Sequence, residues 1–351
     1  RFGTQQIYDM NFTQIEQNNA CFEVEVELYD CPLYQYYFSF EANGQFQYYK
    51  KDNITGDTNV TIAECFKTSV NFNVPEWAKG CVAYQIFPDR FCRGKGTVKK
   101  PMPRRSVHKN WDEQPEIGPD KDGLYNTDFF GGDFAGIKEK VPYLADLGID
   151  LVYLNPIVTS QSNHRYDTGD YLTVDPYLGT NEELKDLIAE FHKYGIKVVL
   201  DAVFNHTGSD SLYYNEFGDY DSFGACQGKE SPYNCFYLKD GYGNQKYWWD
   251  VFTNLPVCDK CNFEYRNFIF GEGGVIDKWC QEWNIDGLRL DVVDELPDHF
   301  ITGIWEAMQR NKPNNFIIFG EVWDNVMRKK NHYLYNVKEI HSPMNYFGMG
   351  G

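Results

Sequence analysis

From Pro75 onward, short apolar runs alternate with amphipathic stretches of helical period. That grammar restricts the chain to an α/β architecture built on a parallel sheet. Residues 82–87, 150–155, 197–204, 286–291 and 315–321 read as strands, and a sixth is expected at 340–346. Residues 136–147 place Ile137, Val141, Leu144 and Leu147 on one helical face. Thr180 and Glu183 form a capping box, opening a helix with Leu184, Leu187, Ile188 and Phe191 inward and Gly195 closing it. Residues 263–282 and 297–310 read as further helices. Near-continuous apolar runs such as 316–319 suit strands buried on both faces.

The polar residues decide between a barrel and a doubly wound sheet. Asn155, Asn205, Asp291 and Glu321 fall at the C-terminal ends of the strands, where barrel enzymes carry their chemistry. No Gly-x-Gly-x-x-Gly or Walker motif follows any strand, so a nucleotide fold lacks support. The expectation is therefore a (β/α)8 TIM barrel over residues 77–351, represented by about six strands. More than 50 residues with little regular pattern follow the third strand. Residues 1–76 read as part of an N-terminal β-sandwich. Residues 22–28 alternate apolar and acidic side chains, and 34–40 and 46–50 form two more strands joined by a hairpin turn at Asn43-Gly44.

Composition narrows the partners. A net charge of −18 argues against nucleic acid, whose phosphates require a cationic surface, and against an anionic membrane. No apolar run approaches the roughly 18 residues needed for membrane insertion. Aromatic residues reach 17%; most serve as core and strand filling, and the remainder offer faces for sugar rings. Ten cysteines leave three readings open: disulfides, with Cys226 and Cys235 bracketing a short loop; a zinc knuckle at Cys258 and Cys261; or free thiols. Asn-x-Ser/Thr sequons begin at Asn11, Asn53 and Asn59 and matter only in a secretory setting.

Two strand ends carry the chemistry. In Gly287-Leu288-Arg289-Leu290-Asp291 the period of two puts Gly287, Arg289 and Asp291 on one face. The Arg289 guanidinium would keep Asp291 ionised and nucleophilic, although a structural ion pair has the same signature. The next strand ends Phe319-Gly320-Glu321-Val322-Trp323, so Glu321 would stand at the barrel mouth beside Asp291. Carboxylates on adjacent strand ends can lie about 5–5.5 Å apart, the separation of a retaining glycosidase. Two histidines, in Asp201-Ala202-Val203-Phe204-Asn205-His206 and in Asn163-His164-Arg165-Tyr166-Asp167, follow strands among groups suited to sugar hydroxyls.

These segments, with Tyr84-Gln85-Ile86-Phe87-Pro88-Asp89-Arg90-Phe91 and Phe130-Gly131-Gly132-Asp133-Phe134, resemble the signature regions of the alpha-amylase family in its neopullulanase and cyclomaltodextrinase branch. The likeness runs from about residue 20 to 346. It implies Asp291 as nucleophile, Glu321 as general acid/base and Arg289 orienting Asp291. It further implies His206 and His164 hydrogen-bonding the sugar at the cleavage point, Tyr166 stacked under its ring and Trp323 on the leaving-group side. Asp201 and Asn205 would be supporting residues, and 207–260 an inserted protruding loop domain. The implied partner is an α-glucan (starch, maltodextrin, pullulan or cyclodextrin), with a homodimer formed through the N-terminal domain.

The chain departs from the family pattern at two places. Where many relatives place calcium ligands after the first strand, this chain reads Arg90-Phe91-Cys92-Arg93-Gly94-Lys95-Gly96, so no metal or other cofactor is expected there. The family's later His-Asp motif is absent. The expectation is that strands seven and eight and a third carboxylate lie beyond Gly351. An extracellular or cell-surface location is expected, with the cytoplasm as alternative. The rival function is a non-catalytic glucan-binding or scaffolding protein with a degenerate barrel.

Overall fold

The computed structural model describes residues 5–29, 34–51, 54–55, 60–61, 64–70, 73–121, 123–323 and 339–349. The chain forms two compact units that part at residues 72/73.

The first unit consists of small antiparallel sheets, as a sandwich portion requires. Asn11–Glu16 pairs with Asn19–Glu23. Phe38–Ala42 pairs with Gln45–Tyr49, which also pairs with Ile54–Thr55. The connecting turn has Asn43 at φ 54° and Gly44 at φ 75°, the two positive values a tight hairpin needs. Two expectations are corrected. Of the alternating run 22–28, only Phe22 and Glu23 lie in a strand, and residues 24–29 lie in none. The run 34–40 breaks at Tyr37, because Tyr34–Tyr36 pairs with Phe66–Thr68 while Phe38–Ala42 joins the other sheet. The sequons at Asn53 and Asn59 lie outside the described residues, and Asn11 sits in an exposed strand.

Among the described residues, the main sheet of the second unit has six strands: β1 (Ala83–Ile86), β2 (Leu151–Leu154), β3 (Lys197–Ala202), β4 (Gly287–Leu290), β5 (Ile317–Gly320) and β6 (Ser342–Pro343). They lie side by side in chain order and every neighbouring pair is parallel. A doubly wound sheet reverses its order at a switch point, whereas this singly wound order is that of a (β/α) barrel. The sixth strand is two residues long rather than spanning 340–346, since a helix, Tyr346–Met349, begins where that strand was expected to end.

The sheet's two faces bury different things. Val152, Leu154, Val198, Leu200, Leu288, Leu290 and Ile318 pack under the helices in one large core. Leu151, Tyr153 and Val199 form a smaller cluster with Ile317 and Phe319, which are the alternate positions of the same strands. Gly287 stands where a Cβ would come within 2.2 Å of the Ile317 carbonyl oxygen, so β4 and β5 approach as they do only with glycine there.

Described helices that precede β5 are α1 (Phe134–Glu139), α2 (Val141–Asp146), α3 (Asn181–Lys193), α4 (Phe263–Phe270), α5 (Val275–Lys278) and α6 (Asp298–Asn311). Helix α3 has the expected capping box and buries Leu184, Leu187, Ile188 and Phe191. Two long helices expected from periodicity are each broken. The run 136–147 divides at Lys140, ahead of Pro142, and Leu147 is exposed. The run 263–282 divides at Gly271–Gly274, where Gly273 has φ 72°, and resumes as α5 and a wider turn over Trp279–Trp283. The segment 207–260 forms a hairpin of Tyr247–Trp248 with Phe252–Pro256. Its Tyr213, Tyr214, Phe236 and Tyr237 join the core under the barrel strands. Among the described residues no helix is long and apolar enough to cross a membrane.

Candidate active site

At the C-terminal ends of β3, β4 and β5, three carboxylates from three adjacent strands meet one guanidinium. The register sets Asp201 opposite Arg289 and Arg289 opposite Phe319. The ladder continues one residue past each strand end, with Asp291 N–H donating to the Ala202 carbonyl at 3.2 Å and Glu321 N–H to the Leu290 carbonyl at 2.9 Å. Arg289 Nη1 then lies 2.8 Å from Asp201 Oδ1 and 2.7 Å from Asp291 Oδ1, and its Nη2 lies 3.0 Å from Glu321 Oε2. All four residues are buried.

This corrects one expectation. Arg289 was expected to hold Asp291 ionised, but its charge is divided among three carboxylates. Burial, with Asp201 and Glu321 close by, pushes the Asp291 carboxyl well above the usual carboxylate range against the pull of Arg289. Burial likewise raises Asp201, opposed by Arg289 and by hydrogen bonds from Tyr153 and Tyr166. Asp201 and Asp291, both raised, therefore titrate as a pair.

Around the cluster, the Tyr166 hydroxyl donates to Asp201 Oδ2 at 2.8 Å and accepts from Asn155 Nδ2 at 3.0 Å. The Tyr153 hydroxyl donates to the same Asp201 oxygen. Asn155 is fixed by Gln85 Nε2 at 2.8 Å. His164 Nδ1 accepts from the Tyr166 N–H at 3.1 Å, and the two rings lie 5.8 Å apart. His206 is buried, its ring stacks on Trp248 at 5.0 Å, and among the described residues its Nε2 has no hydrogen-bond partner. Burial lowers its pKa to about 4, so the ring is neutral at pH 7. Asn205 Oδ1 accepts from Lys260 Nζ at 2.6 Å, and its Nδ2 donates to Glu295 at 3.2 Å. Trp323 is largely exposed and lies 5.0 Å from the ring of Tyr346.

The structure thus brings Asp201, Arg289, Asp291, Glu321 and Tyr166 into one bonded cluster. His164 is joined to it through Tyr166, while Asn205, His206 and Trp323 lie outside its hydrogen bonds. The sequence reading missed Tyr153, Glu295, Lys260, Trp248 and Tyr346. Tyr153 had a signal, because alternation along β2 puts it on the face opposite Val152 and Leu154. The others come from a turn (Lys260) or from elements of two to four residues (Trp248, Glu295 and Tyr346), too short for a period to show.

All nine described cysteines are free thiols. Cys226 and Cys235 are both exposed and neither is in a disulfide, and Cys258 is buried while Cys261 is exposed. Of the three readings the free thiols are favoured, and the oxidation argument for a secreted or surface enzyme loses its support.

A singly wound barrel with clustered carboxylates at adjacent strand ends is the arrangement of a barrel glycosidase. Residues 85–347 match the family described as alpha amylase, catalytic domain, and the chain belongs to that family. It is 36% identical over 329 residues to an amylopullulanase of Thermoanaerobacterium saccharolyticum, covering 82% of this chain and 26% of the relative. It is also 36% identical over 262 residues to a cyclomaltodextrinase of Thermoanaerobacter pseudethanolicus, covering 72% of this chain and 41% of the relative. The solved structure of a cyclomaltodextrinase superposes with a TM-score of 0.66 at 24% identity, over 96% of this chain and 55% of that one. The chain thus spans between about a quarter and two fifths of the length of these two curated relatives.

Proposed function

We propose that the rim of β3–β5 hydrolyses α-glucosidic bonds with retention of configuration. One observation carries the reading: Asp201, Asp291 and Glu321, from three adjacent strands, converge on Arg289. In the first step an Asp291 oxygen bonds to the anomeric carbon as the bond to the leaving oxygen breaks. Glu321 gives its proton to that oxygen. In the second step Glu321 takes a proton from water, whose oxygen displaces Asp291. Arg289 orients Asp291, and Asp201 holds Arg289 in place. His206 and His164 bond the sugar hydroxyls at the cleavage point, and the unpartnered Nε2 of His206 supports this for the first of them. Tyr166 lies under the sugar ring, Trp323 toward the leaving group, and Asn205 supports His206.

The substrate class is an α-glucan, a reading supported by the amylopullulanase and cyclomaltodextrinase relatives. The test is maltodextrin and pullulan cleavage by the complete enzyme, with the anomer of fresh product read by NMR. Asp291→Asn or Glu321→Gln should lower kcat on the order of 10³-fold or more. Near-normal turnover by either variant, or an inverted product, would overturn the reading, and an inactive complete enzyme would favour the glucan-binding rival.

The same reading includes no calcium ion after β1. Both oxygens of Asp133 are engaged, Oδ1 by the Gly94 and Gly136 N–H groups and Oδ2 by Lys99 Nζ at 2.7 Å. Lys99 also bonds the Tyr177 carbonyl at 2.6 Å, and Arg93 bonds the carbonyls of Phe130 and His108. Resident cations and N–H donors thus use the oxygens a hard dication would need. A chelator should leave the melting temperature unchanged; a drop removed by Lys99→Met would contradict this.

A further inference from the structure

Among the described residues, Glu321 is held by three donors, divided unevenly between its two oxygens. Oε2 takes Arg289 Nη2 at 3.0 Å and the Val292 N–H at 3.0 Å. Oε1 takes the hydroxyl of Tyr346 at 3.0 Å. The Val292 N–H is presented by a left-handed backbone, φ 38° and ψ 52°, which a β-branched residue adopts only when its surroundings hold it there. The Val293 N–H bonds the Glu321 carbonyl at 3.1 Å, locking the same turn to the end of β5. The Tyr346 ring lies 5.0 Å from that of Trp323.

These donors differ in what they tolerate. A guanidinium and a backbone N–H have no lone pair to offer, so a proton on Oε2 would face two donors. Among the described residues Oε1 faces a single hydroxyl, which leaves its second lone-pair direction for a proton. We propose that Tyr346 is a positioning residue for the general acid/base: Oε1 carries the exchanged proton, and the Tyr346 hydroxyl fixes that oxygen and stabilises the charge it gains on giving the proton up. This rests on the assignment of Glu321 as acid/base. The proton moves from Oε1 to the leaving oxygen, which keeps the electron pair of its broken bond to the anomeric carbon. A water proton returns to Oε1 in the second step. Tyr346 keeps its own proton throughout and donates more strongly as Oε1 becomes charged. Burial and the neighbouring Glu321 hold the phenol pKa above its ordinary value, against Arg289, so it remains a donor. Among the described residues, the charged and titratable groups facing Glu321 are Arg289, Asp291 and Tyr346, with Asp201 behind the guanidinium.

The experiment compares Tyr346→Phe, Glu321→Gln and the unaltered complete enzyme on two maltosides, one with a nitrophenyl leaving group and one with an alkyl group that must be protonated to depart. For the alkyl substrate, Tyr346→Phe should lower kcat on the order of 10- to 100-fold with KM little changed. The nitrophenyl substrate should lose much less, and the alkaline limb of kcat/KM should move to higher pH. Equal loss on both substrates, or a change confined to KM, would overturn the proposal. If the Phe variant misfolds, Tyr346→3-fluorotyrosine keeps the shape with a stronger donor and should move the limb to lower pH; an unmoved limb would overturn it. An inactive Glu321→Gln beside an unimpaired Tyr346→Phe would remove the positioning role alone. An active Glu321→Gln would remove the acid/base assignment itself.

Discussion

Asp286 and Asp291 flank the same four-residue strand, and their surroundings move them in opposite directions. Both are buried. At the N-terminal end of β4, Asp286 meets His192 Nε2 at 2.6 Å, Lys197 Nζ at 3.0 Å and the Val198 N–H at 2.9 Å. Burial pushes its pKa up, but His192, Val198 and Lys197 outweigh it and the net shift is down. At the C-terminal end, Asp291 shares one guanidinium with two other carboxylates, and the net shift is up. One end of the strand is arranged so that its charge is at rest, the other so that it is not. A barrel can keep both because fold stability and chemistry occupy opposite rims.

The comparison predicts opposite signs for one substitution. Asp286→Asn should destabilise on the order of 3 kcal/mol, since it leaves Lys197 and the His192 ring without their carboxylate, while turnover per folded molecule stays near normal. Chemical denaturation together with active-site titration checks both halves; a stability change near zero would erase the contrast. Asp291→Asn, nearly inactive, should raise stability by about 1 kcal/mol, because a neutral amide relieves the crowding of carboxylates. A destabilised Asp291→Asn would mean that its bond to Arg289 outweighs the repulsion. The pH dependence follows the signs of the shifts. Asp286, lowered when folded, contributes stability above the unfolded value of about 3.9 and loses it as pH falls through its folded value. Asp291, raised, contributes below about 3.9 and loses its contribution as pH rises through its folded value.

The smallest effect belongs to His108, held by Glu113 at 2.8 Å and Asp128 at 3.1 Å. Burial opposes its charge, but the two carboxylates raise its pKa overall. Its contribution should be complete below about 6.5 and fade as pH rises through its folded value. It amounts to at most about 1 kcal/mol, read as a His108→Gln melting difference that closes above neutral pH. A difference that persists in alkali would assign His108 a packing role.

The same division explains what the sequence could reveal. The strands of the second unit were legible because burial on two faces demands unbroken apolar runs, and Thr180 with Glu183 announced α3 by local chemistry alone. Asp291 and Glu321 were legible because a carboxylate after an apolar run has few other uses. The breaks at Lys140 and Gly271–Gly274 were not, since hydrophobic period continues across a kink. In the first unit the run 22–28 has the period of a strand, yet ladder pairing stops after Glu23. Period records which side would be wet, not whether a partner strand is there. Tyr346 and the turned backbone of Val292 were illegible for a different reason. Each matters only through Glu321, which lies 25 residues from the Tyr346 hydroxyl and 29 from the Val292 N–H along the chain.

The Arg289 cluster has one more consequence. With every member ionised, three carboxylates at −1 and one guanidinium at +1 would sum to −2, an excess in keeping with the upward shift that burial and the neighbouring carboxylates give Asp291. A neutral glucan brings no charge with it. In the proposed reaction, positive charge would arise there only as the glycosidic bond stretches and the ring acquires oxocarbenium character. The cluster is thus a socket for a cation that exists fleetingly, so its attraction is greatest at the top of the barrier rather than toward the resting sugar. A sugar mimic with a permanently protonated ring nitrogen would fill that socket at equilibrium, and it should be held far more tightly than the glucan it imitates.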